Sequence, residues 1–104
     1  MVLADTSVWV DHLRRGEPQL IALLGVGEVL SHPFIIGELA CGNLHGREEI
    51  LGLLSDLPSL GKAGDGELLQ FISHHRLQGK GLGLVDMHLL ASCALARRPL
   101  WFLS

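Results

Sequence analysis

The chain has 104 residues, which is enough for one domain and too few for two. Hydrophobic residues make up 48% and charged residues 18% of it, a composition that excludes a disordered chain. The formal net charge is −3, from 8 basic and 11 acidic residues, which excludes the broad basic surface of a non-specific nucleic-acid binder.

Any contact with a nucleic acid therefore has to be local, through pairs such as Arg14–Arg15 or Arg97–Arg98. The alternative for both pairs is a solvated helix end, where cations are favourable.

Two features predict a cytoplasmic protein without a membrane segment. Cys41 and Cys93 are far apart and lie among small and apolar residues, which favours free thiols in a reducing compartment. The N-terminus lacks the basic region of a signal peptide, and no apolar run approaches the roughly 18 residues of a membrane span.

The predicted elements alternate between strands and helices. In chain order they are a strand at 1–4, helices at 7–15 and 17–25, a strand at 27–32, helices at 33–44 and 47–57, a short strand at 58–64, a helix at 65–78, a glycine-rich loop at 79–83, a helix at 85–97 and a strand at 99–104. This order predicts a single α/β domain over 1–104, with a parallel sheet of four short strands and helices on both faces.

Asp5 follows the first predicted strand and precedes the first helix, in "VLADTSVWVDHL". A short acidic side chain at this position can cap the helix by accepting an amide proton. Thr6 and Ser7 could cap the helix equally well, and the carboxyl end of a parallel strand is also where ligands bind. The sequence therefore leaves two roles open for Asp5, a helix cap and a ligand-binding residue.

Two further acids have similar pairs of interpretations. Glu38 lies inside the third predicted helix, with Phe34 one turn before it, and is either an exposed helix-favouring residue or a ligand. Asp86 begins the last helix, where an acid interacts favourably with the helix dipole.

Asp5, Glu38 and Asp86 could converge at the carboxyl edge of one sheet. Three neighbouring carboxylates repel one another, and a divalent cation removes that repulsion. Ligation by oxygen alone selects Mg²⁺ or Mn²⁺.

The blocks "VLADTSVWVDHL", "PFIIGELACG" and "GLGLVDMHLLASCALA", followed by "RRPLW", resemble a PIN domain of the VapC toxin type over nearly the whole chain. The resemblance implies a ribonuclease that uses Mg²⁺ or Mn²⁺, with Asp5, Glu38 and Asp86 as the first three metal-binding acids. It implies in-line attack of a metal-activated water on an RNA phosphodiester. It further implies a small antitoxin, encoded beside the toxin, and a toxin homodimer.

The sequence departs from that family pattern at "LWFLS". Ser104 stands where relatives carry a further acid, and the strand and helix that usually follow are absent, so the domain resembles a shortened PIN domain. A serine hydroxyl is a poor Mg²⁺ ligand. This departure keeps a second hypothesis open, a catalytically impaired PIN-like module that dimerises or binds an antitoxin.

No other catalytic pattern is present in the sequence. The histidines have neither zinc-site spacing nor an HExxH motif and are interpreted as surface or cap residues, while "GKGLG" is not a P-loop and no Gly-x-Ser-x-Gly elbow occurs.

Overall fold

The computed structural model of the protein describes residues 1–96 and 100–103. In chain order its elements are β1 (Val2–Ala4), α1 (Thr6–Arg15), α2 (Pro18–Gly25), β2 (Val29–Leu30), α3 (Pro33–Cys41), α4 (Arg47–Asp56), α5 (Asp65–His74), α6 (Leu84–Leu95) and β3 (Trp101–Leu103). Each overlaps a predicted element. The Arg97–Arg98 pair and Ser104 lie outside the described residues.

The strands form a parallel sheet in the order β2-β1-β3, which confirms the predicted α/β fold class. Of the strand predicted at 58–64, the described structure retains a single parallel bridge between Ser31 and Ser59. The Ser31 N–H donates to the Pro58 carbonyl at 2.8 Å, and the Leu60 N–H donates to the Ser31 carbonyl at 2.8 Å. Pro58 has no N–H to extend this ladder, which explains why the pairing stays short.

The main core lies around the central strand. Its buried members come from β1, β2, the helices that cover them and the segment after the bridge at Ser59, namely Leu3, Ala4, Val8, Trp9, Leu20, Val29, Leu30, Ile35, Leu39, Leu54, Leu60 and Leu89. A second, smaller cluster joins α5 to α6 through Ala63, Leu68, Met87 and Ala91. Leu69, the neighbour of buried Leu68 on α5, is 64% exposed, because adjacent helix positions point about 100° apart. No helix in the described ranges is long and apolar enough to cross a membrane.

A buried hydrogen-bond network around Ser92 connects α3, α6 and the loop before α5. The Ser92 hydroxyl donates to the His88 carbonyl at 2.7 Å and accepts from the Ala63 N–H at 3.2 Å. His32 Nε2 lies 3.0 Å from the same oxygen. His32 and Ser92 contribute side chains to this network, and His88 contributes its backbone carbonyl. Because all three residues are buried, an unmade bond here would be costly.

The hydrogen bonds fix the protonation of His32. Its Nδ1 accepts from the Phe34 N–H at 3.0 Å, so in the neutral ring Nε2 carries the proton and donates to Ser92. Burial, with the nearby charges of His88 and Lys62, lowers the pKa of His32 from 6.5 to about 4. The expectation of surface or cap histidines is therefore right for the role of His32 as a cap but wrong for His88, which is buried because it packs against α3.

Acidification is expected to destabilise the protein through His32. Its pKa is lower in the folded state than in the unfolded state, so its stabilising contribution is complete above pH 6.5 and disappears as the pH falls to about 4. That contribution is about 3 kcal/mol at most. Urea unfolding of the wild type and His32→Asn between pH 7 and pH 4 measures it.

Asparagine keeps an acceptor for the Phe34 amide and removes the titrating ring. The free energies of unfolding of wild type and variant should converge as the pH falls, whereas His45→Asn, at an exposed position, should track the wild type. A constant difference between wild type and His32→Asn across this range would contradict the assignment.

Candidate active site

Asp5 directly follows the central strand of the sheet. Since β1 has β2 on one side and β3 on the other, its carboxyl end is the point at which the strand order reverses. Crevices at such points are the usual ligand sites of open parallel sheets. The Asp5 N–H donates to the Leu103 carbonyl at 2.8 Å, which fixes the backbone of this residue to the end of β3.

The Asp5 side chain caps α1. Its Oδ1 accepts from the Thr6 N–H at 2.8 Å, and the backbone has the extended conformation typical of an N-cap, with φ −66° and ψ 161°. The cap interaction uses only one carboxylate oxygen. The other oxygen, Oδ2, accepts no hydrogen bond from the described residues, so capping leaves Asp5 able to bind a ligand.

Thr6 connects the first two predicted acids. Its hydroxyl donates to Glu38 Oε1 at 2.8 Å, across 32 positions of sequence. Thr6 is therefore not the helix cap that the sequence allowed but the first residue of α1, directed toward α3. Thr6 therefore binds both acids, Asp5 through its backbone N–H and Glu38 through its hydroxyl.

Asp86 lies in the first turn of α6, as predicted. A Cβ atom added to Gly83, the N-cap of α6, would lie 3.9 Å from Asp86 Oδ2, so the carboxylate turns back toward the positive end of the helix. The rings of Phe34 and His88 meet edge to face, with centroids 4.5 Å apart, and this contact places the start of α6 beside α3.

The three acids suit a hard divalent cation in their chemistry. All are carboxylates, the ligand type that Mg²⁺ and Mn²⁺ prefer. Within the described ranges, no three His, Cys, Asp or Glu side chains are close enough together to hold a metal ion. Asp5 and Glu38 are joined through Thr6, whereas Asp86 stands on the neighbouring helix. Because Asp86 is exposed, its carboxylate can turn without disturbing the core, whereas Glu38 is held by Thr6.

Thr6 is the residue of this site that sequence reasoning missed. The one available signal was a hydroxyl residue directly after an acid at the end of a strand. That position is also ordinary for a helix cap. Its contact with Glu38 depends on the packing of α1 against α3, which no local pattern contains.

The chain is similar to Ribonuclease VapC32 from two Mycobacterium tuberculosis strains, CDC 1551 / Oshkosh and ATCC 25618 / H37Rv. In both cases the identity is 44% over 95 residues, which is 91% of this chain and 77% of the relative. No protein-family model matches the chain. No solved structure matches it either.

Proposed function

Because this chain belongs to the VapC family of PIN-domain toxins, we propose that it is an endoribonuclease toxin that hydrolyses RNA phosphodiester bonds. The observation that carries the proposal is the link from Asp5 through Thr6 to Glu38 at the carboxyl end of the central strand. This link brings two acids together at the place where a parallel sheet binds ligands.

In the proposed mechanism Asp5, Glu38 and Asp86 would hold Mg²⁺ or Mn²⁺. When bound, the cation would activate a water molecule and stabilise the developing negative charge on the phosphate. The acids themselves serve as ligands, and none is required as a nucleophile. Thr6 acts as a positioning residue, because its hydroxyl fixes the orientation of the Glu38 carboxylate.

One sequence feature favours the second candidate function, a module that binds partners without cutting RNA. Ser104 occupies the position of a further family acid, and it lies outside the described residues. Both candidates share the fold and the antitoxin, so only a cleavage assay separates them.

The cleavage assay uses the purified chain, a labelled single-stranded RNA and Mn²⁺ or Mg²⁺. The wild type should cut the RNA, and excess EDTA should stop it. Asp5→Asn, Glu38→Gln and Asp86→Asn should each lose about 100-fold or more in kcat/KM, since even outer-shell partners of a metal ligand account for 10–100-fold. Asp56→Asn, at an exposed acid on α4, should keep full activity.

Thr6 provides a finer readout in the same assay. Thr6→Val should reduce kcat/KM about tenfold, and Thr6→Ser should restore it, because serine keeps the hydroxyl that binds Glu38. If the RNA stays uncut in both Mn²⁺ and Mg²⁺, the result would contradict the ribonuclease function and support the partner-binding module. Full activity in Asp5→Asn would contradict the assigned site.

The antitoxin is the proposed protein partner, and an apolar groove between α1, α2 and α4 is its proposed docking surface. This α4 groove has a volume of ≈ 250 Å³ and is lined by Trp9, His12, Leu13, Leu24, Ile50, Leu53, Leu54 and Leu57. Grooves of this character accept the apolar face of an amphipathic helix. The homodimer implied by the resemblance stays a prediction.

A charge placed in the α4 groove should weaken the complex with the antitoxin. Leu53 is 63% exposed, so Leu53→Glu is tolerated by the fold but puts a carboxylate against the apolar partner. The Kd for the small protein encoded beside this chain should rise at least about tenfold, measured by calorimetry. Leu69→Glu is the matched control, since Leu69 is 64% exposed on α5. Equal Kd values for the two variants would remove the groove from the complex.

A further inference from the structure

Lys62 is an exposed cation close to the candidate active site. It follows the bridge at Ser59, and because that bridge is parallel to the chain leaving β2, Lys62 emerges at the same edge of the sheet as Asp5. Its Nζ lies 5.1 Å from the centroid of the Phe34 ring. Among the described residues it makes no ion pair, so its charge is free to bind an anion.

The Phe34 ring beneath Lys62 is held firmly. It meets His88 edge to face at 4.5 Å and His32 at 5.7 Å between centroids, and both imidazoles are buried. Attraction between an ammonium group and an aromatic face then favours a defined position for Lys62. Phe34, over which Lys62 lies, is one turn of α3 before Glu38.

A second free cation lies near the opposite end of α3. A groove of ≈ 530 Å³, the α3 groove, is lined by Thr6 and Glu38 and also by Arg14, Gly42, Asn43 and His45. The neighbouring Arg15 pairs with Asp11 at 3.6 Å, whereas Arg14 has no ion pair among the described residues. The α3 groove thus connects Glu38 to a second unneutralised cation, the Arg14 guanidinium.

The three positions follow one another along α3. Phe34, Glu38 and Gly42 are spaced four residues apart, which corresponds to about 6 Å of helix rise for each interval. Lys62 is associated with the first position, the Thr6–Glu38 hydrogen bond with the second and the Arg14-lined groove with the third. Glu38 therefore lies between two cations.

We propose that a single strand of RNA crosses the candidate active site along α3, with Lys62 and Arg14 binding phosphates on opposite sides of the acids. This inference rests on the proposed ribonuclease function and adds the path of its substrate. With a net charge of −3, the chain cannot attract RNA by its overall field, so local cations have to supply the attraction. Two separated, unneutralised cations fit a polyanion that extends past the acids on both sides.

The test compares Lys62→Gln and Arg14→Gln with the matched controls Lys80→Gln and Arg15→Gln. The binding of a fluorescent single-stranded RNA is followed by anisotropy in EDTA over a range of salt concentrations. Each test variant should raise the Kd about fivefold to tenfold and reduce the slope of log Kd against log salt by about 0.7, whereas the controls should match the wild type. Lys62→Arg should restore binding.

Cleavage kinetics separate the inference from the function on which it rests. In Mn²⁺ the test variants should raise KM and leave kcat within about twofold, because the cations bind RNA outside the reacting centre. If the wild type cuts RNA and both variants keep its KM and salt slope, the path is wrong and the ribonuclease stands. If Arg14→Gln weakens only the antitoxin complex, the α3 groove binds protein and the path is equally wrong. A wild type that cuts no RNA overturns the function itself.

Discussion

The placement of the site depends on the hydrogen bonds of the Ser92 hydroxyl. It joins His32 at the start of α3, the His88 carbonyl of α6 and the Ala63 amide before α5. Each of these elements carries one part of the candidate site, namely Glu38 on α3, Asp86 on α6 and Lys62 in the loop. Because this hydrogen-bond network is buried, shifting any one element would leave a polar group without its partner.

The central strand supplies the other fixed reference. β1 pairs with both neighbours, and the hydrogen bond from Asp5 to Leu103 holds the point at which the chain turns into α1. Thr6 then joins this turn to α3 through Glu38. Asp5 and Glu38 are thus tied to the packed strand and to α3, whereas the Asp86 carboxylate is exposed and can adjust to a ligand. The helix cap and the proposed ligand role of Asp5 are compatible, because the cap uses only one carboxylate oxygen.

The order of the elements and the positions of the acids could be predicted from the sequence, because both follow from local periodicity and from turn residues. Asp5 directly follows a strand and Asp86 lies in the first turn of a helix, as expected. The link between Thr6 and Glu38 spans 32 positions and that between His32 and Ser92 spans 60, and such contacts depend on how helices pack. Local sequence patterns carry no information about such contacts, and for this reason the sequence alone predicts a surface or cap position for the buried His88.

The central claim is that the three acids assemble one divalent-cation site. Calorimetric titration of the wild type with Mn²⁺ tests it directly, beside Asp5→Asn and the exposed control Asp56→Asn. Because asparagine keeps the oxygen that caps α1, Asp5→Asn should stay folded by thermal unfolding. We expect micromolar binding in the wild type and the control and none in Asp5→Asn. No binding heat in the wild type, or equal heats in all three proteins, would contradict it.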